Sequence, residues 1–143
     1  MGHEAISGSG SGCKSAGDLT AEQYDLVIRH LPLQFSFINE DGILLYWHGE
    51  LYEGCAKRYI GHHVNDCHSQ KSQETIARLE RAFRDGTKDE AVFRTTEEGR
   101  LILARYCALR DSEGVYRGML ETLQDLTDVF AMRDTQSELD RGG

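Results

Sequence analysis

Apolar positions along the chain fall into stretches of two different periods. Tyr24, Val27, Ile28 and Leu31 recur at helical spacing. Thr20-Ala21-Glu22-Gln23 opens that helix as a capping box, with Leu19 and Tyr24 placed for the hydrophobic staple. Pro32 ends it, because the residue before a proline avoids the helical region. Leu33, Phe35 and Phe37 then alternate with Gln34 and Ser36, which is the period of a strand. Asn39-Glu40-Asp41-Gly42 turns the chain into a returning strand, Ile43 to Trp47. That strand is apolar almost throughout and is expected to be covered on both faces.

The pattern breaks down from His48 to Lys71, where glycines punctuate short helical turns and loops. A clear helix follows over Ser72 to Asp85. Ile76, Leu79, Ala82 and Phe83 form its apolar face, Glu74, Arg78, Glu80, Arg81 and Arg84 lie off it, and Gly86 stands where a helix C-terminal glycine belongs. Three strands come next: Glu90 to Thr95, Arg100 to Arg110 and Val115 to Gln124. Turns at Glu97-Glu98-Gly99 and Asp111-Ser112-Glu113-Gly114 separate them. Asp125 to Asp128 leads into a final polar helix carrying Val129, Phe130, Met132 and Leu139. Hairpins at both ends with helices between them predict an α+β fold, and no glycine-rich phosphate loop supports a nucleotide-binding βαβ alternative.

Length and charge narrow the function. One domain fits 143 residues. The net charge of −8 disfavours nucleic-acid and membrane surfaces, and no apolar run reaches membrane-span length. No apolar signal segment is legible, so the expected location is cytoplasmic. Cys13, Cys55, Cys67 and Cys107 form no CxxC pair, which removes zinc ribbons and thioredoxin motifs and reads as reduced thiols.

The order of elements, five strands around a helical insert, resembles the PAS fold. Gly118 to Asp128 (GMLETLQDLTD) is similar to the end of a PAS domain, where an Asp-x-Thr triplet, here Asp125 and Thr127, closes the last strand and caps the following helix. Ile60-Gly61, Val64, Cys67-His68 and Lys71-Ser72 resemble the IGxxVxxCHPPKS motif of one PAS subfamily, often found C-terminal to a hemerythrin-like domain. Arg105-Tyr106, Ala108, Arg110-Asp111 and Gly114 match its RYFAVRDxxG stretch, and Leu31-Pro32 and Phe37 its opening strand. Ser69 and Gln70 replace the two prolines, Cys107 replaces an aromatic residue, and His48 stands where a small polar residue is expected. The resemblance implies a five-stranded antiparallel sheet with helices packed on one face and flanking helices at both ends. Gly/Ser-rich composition makes 1–17 a flexible tag or linker, followed by the PAS domain with its N-terminal helix (18–128) and a signalling helix or linker fraying at its end (129–143).

Candidate chemistry concentrates in His62-His63-Val64-Asn65-Asp66-Cys67-His68. In a helix, His63 and Cys67 share one face and His62 and Asp66 another. Thiolate and imidazole suit zinc, copper or iron, and His63, Cys67 and His68 are the candidate metal ligands. His68, Cys67, His48 and Trp47 are the candidate cofactor contacts. Haem is the leading cofactor if one is held, then a non-haem metal, then none; the long helix has no histidine to ligate it, which counts against haem, and His68 is favoured over His48 as the substitute because it matches the subfamily motif. The competing readings are solvated histidines and an inert packed thiol. Lys71, four residues after Cys67, would lower that thiol's pKa in a helix and make it a redox sensor. Arg105 and Glu121 are placed for a cross-strand charge pair. Phe35, Phe37, Tyr46 and Trp47 are expected to pack in the core or to stack on a planar ligand.

No GxSxG or HExxH motif is present, and the paired acids sit in turns, so no catalysis is expected. The reading is a sensor that binds a small molecule in its core and forms a homodimer through its terminal helices, with no nucleic-acid or membrane partner. A ligand-free PAS domain used only for dimerisation is the alternative.

Overall fold

A computed structural model describes residues 4–6 and 14–132. The elements run β1 (Glu4–Ile6), α1 (Ala21–His30), β2 (Gln34–Asn39), β3 (Leu44–His48), α2 (Glu53–Tyr59), a 3-10 turn (Val64–Cys67), α3 (Gln70–Asp85), β4 (Glu90–Glu97), β5 (Arg100–Arg110), β6 (Tyr116–Asp125) and α4 (Thr127–Met132). The strands form one antiparallel sheet in the order β1-β4-β5-β6-β2-β3. Val64, Ile76, Leu79 and Phe83 from the helical insert pack against Ile38, Leu44, Tyr106, Tyr116 and Met119 on one face of the sheet. The α+β class and the five-strand PAS arrangement are therefore present.

A sixth strand comes from the segment read as a linker. Glu4–Ile6 pair with Arg94, Phe93 and Val92 along the edge of β4. Edge pairing uses backbone groups, so the Gly/Ser-rich composition around it does not report it. The expected helix through Leu139 extends beyond α4 into residues outside those described.

Helix ends follow local chemistry. Thr20 and Gln23 form the reciprocal capping box, and Leu31 leaves the helix before Pro32. α3 stops at Gly86, whose φ of 76° a residue with a Cβ resists. Asp125 Oδ1 accepts from the Thr127 N–H at 3.0 Å and the Thr127 hydroxyl at 2.6 Å. Thr127 Oγ1 in turn accepts from the Leu101 N–H at 3.0 Å. The triplet thus fastens α4 to β5, and Thr127 bonds across to the sheet instead of capping further along its own helix. These bonds hold the Asp125 carboxyl below its ordinary pKa.

Three expectations are corrected. β2 alternates as predicted but with the other face inward: Gln34, Ser36 and Ile38 are buried, while Phe35 and Phe37 are half-buried on the opposite face. The polar pair is accommodated by specific partners, since Gln34 exchanges hydrogen bonds with the backbone of Leu51 at 2.6 and 2.8 Å and Ser36 donates to Glu121 at 3.2 Å. β3 is an edge strand, so Leu44 is buried and Leu45 and Tyr46 are exposed instead of covered on both sides. Glu80, expected off the apolar face of α3, is buried with it, 3.8 Å from His63 Nε2.

The β2–β6 contact leaves no room for a side chain at Gly118. Its φ is 136°, and a Cβ there would lie 2.3 Å from the carbonyl oxygen of Ile38. Gly118→Ala is expected to destabilise the domain by about 2 kcal/mol or more, combining backbone strain with a clash against rigid main chain. Urea unfolding followed by circular dichroism checks this; an unchanged midpoint would refute the close approach.

Candidate functional site

Directly opposed residues in antiparallel strands project to the same face. Tyr106 opposes Glu121, Glu121 opposes Ser36, and Ser36 opposes Trp47. These four residues form one rung running across β5, β6, β2 and β3. All four line a cavity of about 320 Å³ between the sheet and the helical insert. The remainder of its wall is largely apolar, with Leu44, Val64, Ile76, Ile102, Ala104 and Leu123 among the residues around it.

Glu121 is the polar centre of the floor. It is buried, and it accepts from Ser36 Oγ at 3.2 Å and from the Tyr106 hydroxyl. Burial, followed by the negative charge of Glu121, pushes the Tyr106 phenol well above its ordinary pKa. The indole Nε1–H of Trp47 is buried without a hydrogen-bond partner. At another part of the wall Tyr52, in the left-handed region at φ 58°, donates its hydroxyl to Glu97 Oε2 at 2.5 Å. This bond ties the start of α2 to the end of β4, and both residues line the cavity.

The histidine and cysteine candidates separate. His63–Cys67 is not an α-helix: His63 precedes the 3-10 turn and caps it, its Nδ1 accepting from the Asn65 N–H at 3.1 Å. Cys67 Sγ donates to the Val64 carbonyl at 2.9 Å. His68 Nδ1 lies 2.8 Å from the same oxygen and must carry the proton, which leaves Nε2 as the acceptor of the neutral ring. Cys67, His68 and Trp47 line the cavity. His48 does not; it bonds the Leu31 carbonyl at 2.9 Å and stacks on Phe35. Phe35 also stacks on Tyr46, on the opposite face from the cavity. His62 faces Asp66 at 3.9 Å on the exposed side.

Two electrostatic expectations are also corrected. Arg105 opposes Thr122, one residue out of phase with Glu121, so the two point to opposite faces; Arg105 pairs with Glu90 instead. Cys67 is not activated. Desolvation first, then the charge of Glu121, push its thiol up to about 11. Lys71 lies in the first turn of the separate helix α3.

The donor set does not fit haem. The volume lies at the low end of the roughly 300–1,000 Å³ of ligand sites, room for one or two rings and not for a tetrapyrrole. Among the described residues no lysine or arginine lines it to meet propionates, and its floor carries a carboxylate. Among the described residues no group of three or more His, Cys, Asp or Glu gathers as a metal site.

A PAS domain family model matches residues 33–127. The chain belongs to the PAS domain family. A crystal structure of a C-terminal domain from Streptococcus mutans is similar, at 27% identity over 85% of this chain and 96% of that one, with a TM-score of 0.70. A sensory-box sensor histidine kinase from Vibrio cholerae aligns at 10% identity over 73% of this chain and 88% of that one, with a TM-score of 0.52. The phage VqmA–DPO complex aligns at 16% identity over 79% and 56% of the two chains, with a TM-score of 0.59. The last two likenesses are of fold. No curated protein sequence matches. The cavity's polar rung was not legible beforehand, because Ser36 and Glu121 are 85 residues apart and acquire meaning only through strand order.

At pH 7.5 a thiol of pKa about 11 is ionised in roughly three molecules per ten thousand, against about one in ten for an ordinary cysteine. Iodoacetamide labelling read by peptide mass spectrometry is expected to modify the exposed Cys55 well before Cys67, with the Cys67 rate still rising past pH 9. Comparable rates at pH 7.5 would restore a reactive-thiol sensor.

Proposed function

We propose that this PAS domain is a sensor module that binds a small molecule between its sheet and its helical insert and catalyses no reaction. The observation that carries the reading is the largely apolar hollow of about 320 Å³ with the polar rung of Tyr106, Glu121, Ser36 and Trp47 along its floor. An interior packed only for stability leaves few voids larger than a water, so a space this large fits occupancy by a ligand. The VqmA neighbour is named as a complex with DPO, a precedent for a ligand in this fold. The motif stretches around the 3-10 turn and β5 support membership of the subfamily associated with hemerythrin-like domains. Sensor kinases among the similar folds support a role in relaying a signal to another domain.

Homodimerisation through the terminal helices is the second part of the proposal. No residue of α1 is buried, and Tyr24, Leu26, Val27 and Leu31 are exposed on or beside it. Such an unpartnered apolar helix suits a second copy. The same stripe would serve a ligand-free PAS domain that only dimerises, and the cavity separates the two readings.

Thermal-shift screening of one- and two-ring compounds tests the ligand. Saturation at a hundred times Kd is worth about 2.7 kcal/mol, which raises the Tm of a domain this size by several degrees. Ala104→Phe, which fills the hollow, is expected to keep the fold and lose every such shift; shifts that survive it would place binding elsewhere. For the dimer, light scattering is expected to give a dimer for the full chain and a monomer after deletion of residues 18–31. A monomeric full chain, or a dimer that survives the deletion, contradicts that interface.

A further inference from the structure

Glu121 is a buried carboxylate in a wall that, among the described residues, holds no lysine or arginine. An ionised carboxylate offers about four lone-pair positions. The Ser36 and Tyr106 hydroxyls supply two donors. Acceptor capacity therefore remains on the Glu121 carboxylate at the cavity floor. On the same rung, two strands away and so about 9–10 Å across the sheet, the buried Trp47 N–H has no acceptor. The hollow between them holds about ten waters' worth of volume at roughly 30 Å³ each.

From this complementarity we infer that the ligand is a compact ring compound bearing a cationic amine or N–H donor, which Glu121 binds and orients. The inference rests on reading the hollow as a ligand site. The apolar wall takes the ring, and the carboxylate takes the donor. Anionic compounds of the same size are rejected, because they would bring a second negative charge against Glu121 in a wall that no lysine or arginine lines among the described residues.

Isothermal titration calorimetry with phenethylamine, phenethyl alcohol and phenylacetate tests the class, since the three share a ring and differ in charge. Phenethylamine is expected to bind about tenfold or more tighter than the alcohol, consistent with a charge-assisted bond, and phenylacetate not measurably. Glu121→Gln, checked for folding by circular dichroism, is expected to remove the amine's advantage while retaining the alcohol. Equal binding of amine and alcohol, or tighter binding of phenylacetate, overturns the inference and leaves the ligand cavity standing. Binding of none of the three overturns it as well, and an absence of thermal shifts from the wider ring library would take the ligand reading with it. The wild-type ranking is decisive even where Glu121→Gln does not fold. An amine preference that persists in a folded Glu121→Gln places recognition on another group and overturns the assignment.

Discussion

A carboxylate in the middle of a sheet must find donors or be expelled, and the arrangement of this domain follows from how Glu121 finds them. Leaving a buried charge unpaired costs several kcal/mol. Its donors, the hydroxyls of Ser36 and Tyr106, come from the two strands flanking β6 and stand directly opposite it. A one-residue slip of β2 would turn Ser36 to the other face and bring Phe35 or Phe37 onto the rung. The polar rung thus pins the register of the central strands, and the register decides which side chains face the helices.

The two ends of the interior differ accordingly. Towards the β2–β3 turn, Ile38, Met119 and Phe83 are completely buried and the core is closed. Over the rung and beyond it, small or polar groups such as Ser36 and Ala104 leave space. The 3-10 turn holds the wall at this end, with the Val64 carbonyl accepting from both Cys67 and His68. Those two side chains therefore shape the cavity while Cys67 Sγ and His68 Nδ1 are directed at their own backbone. The Tyr52–Glu97 bond closes the wall on the β4 side. A ligand binding here would press on α2 and on the sheet together, and the latter carries α4 through Thr127.

Much of the fold was legible in local signals. The Thr20 capping box, the Gly86 stop, the Asp111 and Asn39 turns and the Asp125-x-Thr127 triplet each determine their own neighbourhood through bonds within a few residues. Trp47, Cys67 and His68 were likewise legible as cavity residues. What was not legible depends on long-range pairing. The inward face of β2 is polar at two positions, and apolar alternation therefore pointed to the wrong side. His63 and His48 are committed to a backbone N–H and a backbone carbonyl, which residue type does not reveal. Glu121 was visible as part of the GMLETLQDLTD stretch and as a member of a charge pair that the register forbids, not as the floor of a cavity.

The central claim is that a real, accessible hollow lies over the Tyr106–Glu121–Ser36–Trp47 rung. Xenon binds against apolar walls without needing polar contacts. A methyl NMR titration of the free protein under xenon pressure tests it directly. The expected result is saturable shifts concentrated at Leu44, Val64, Ile76, Ile102 and Leu123, the methyl groups around the cavity. Absent shifts, or shifts centred on α1 or on the outer face of the sheet, would contradict it.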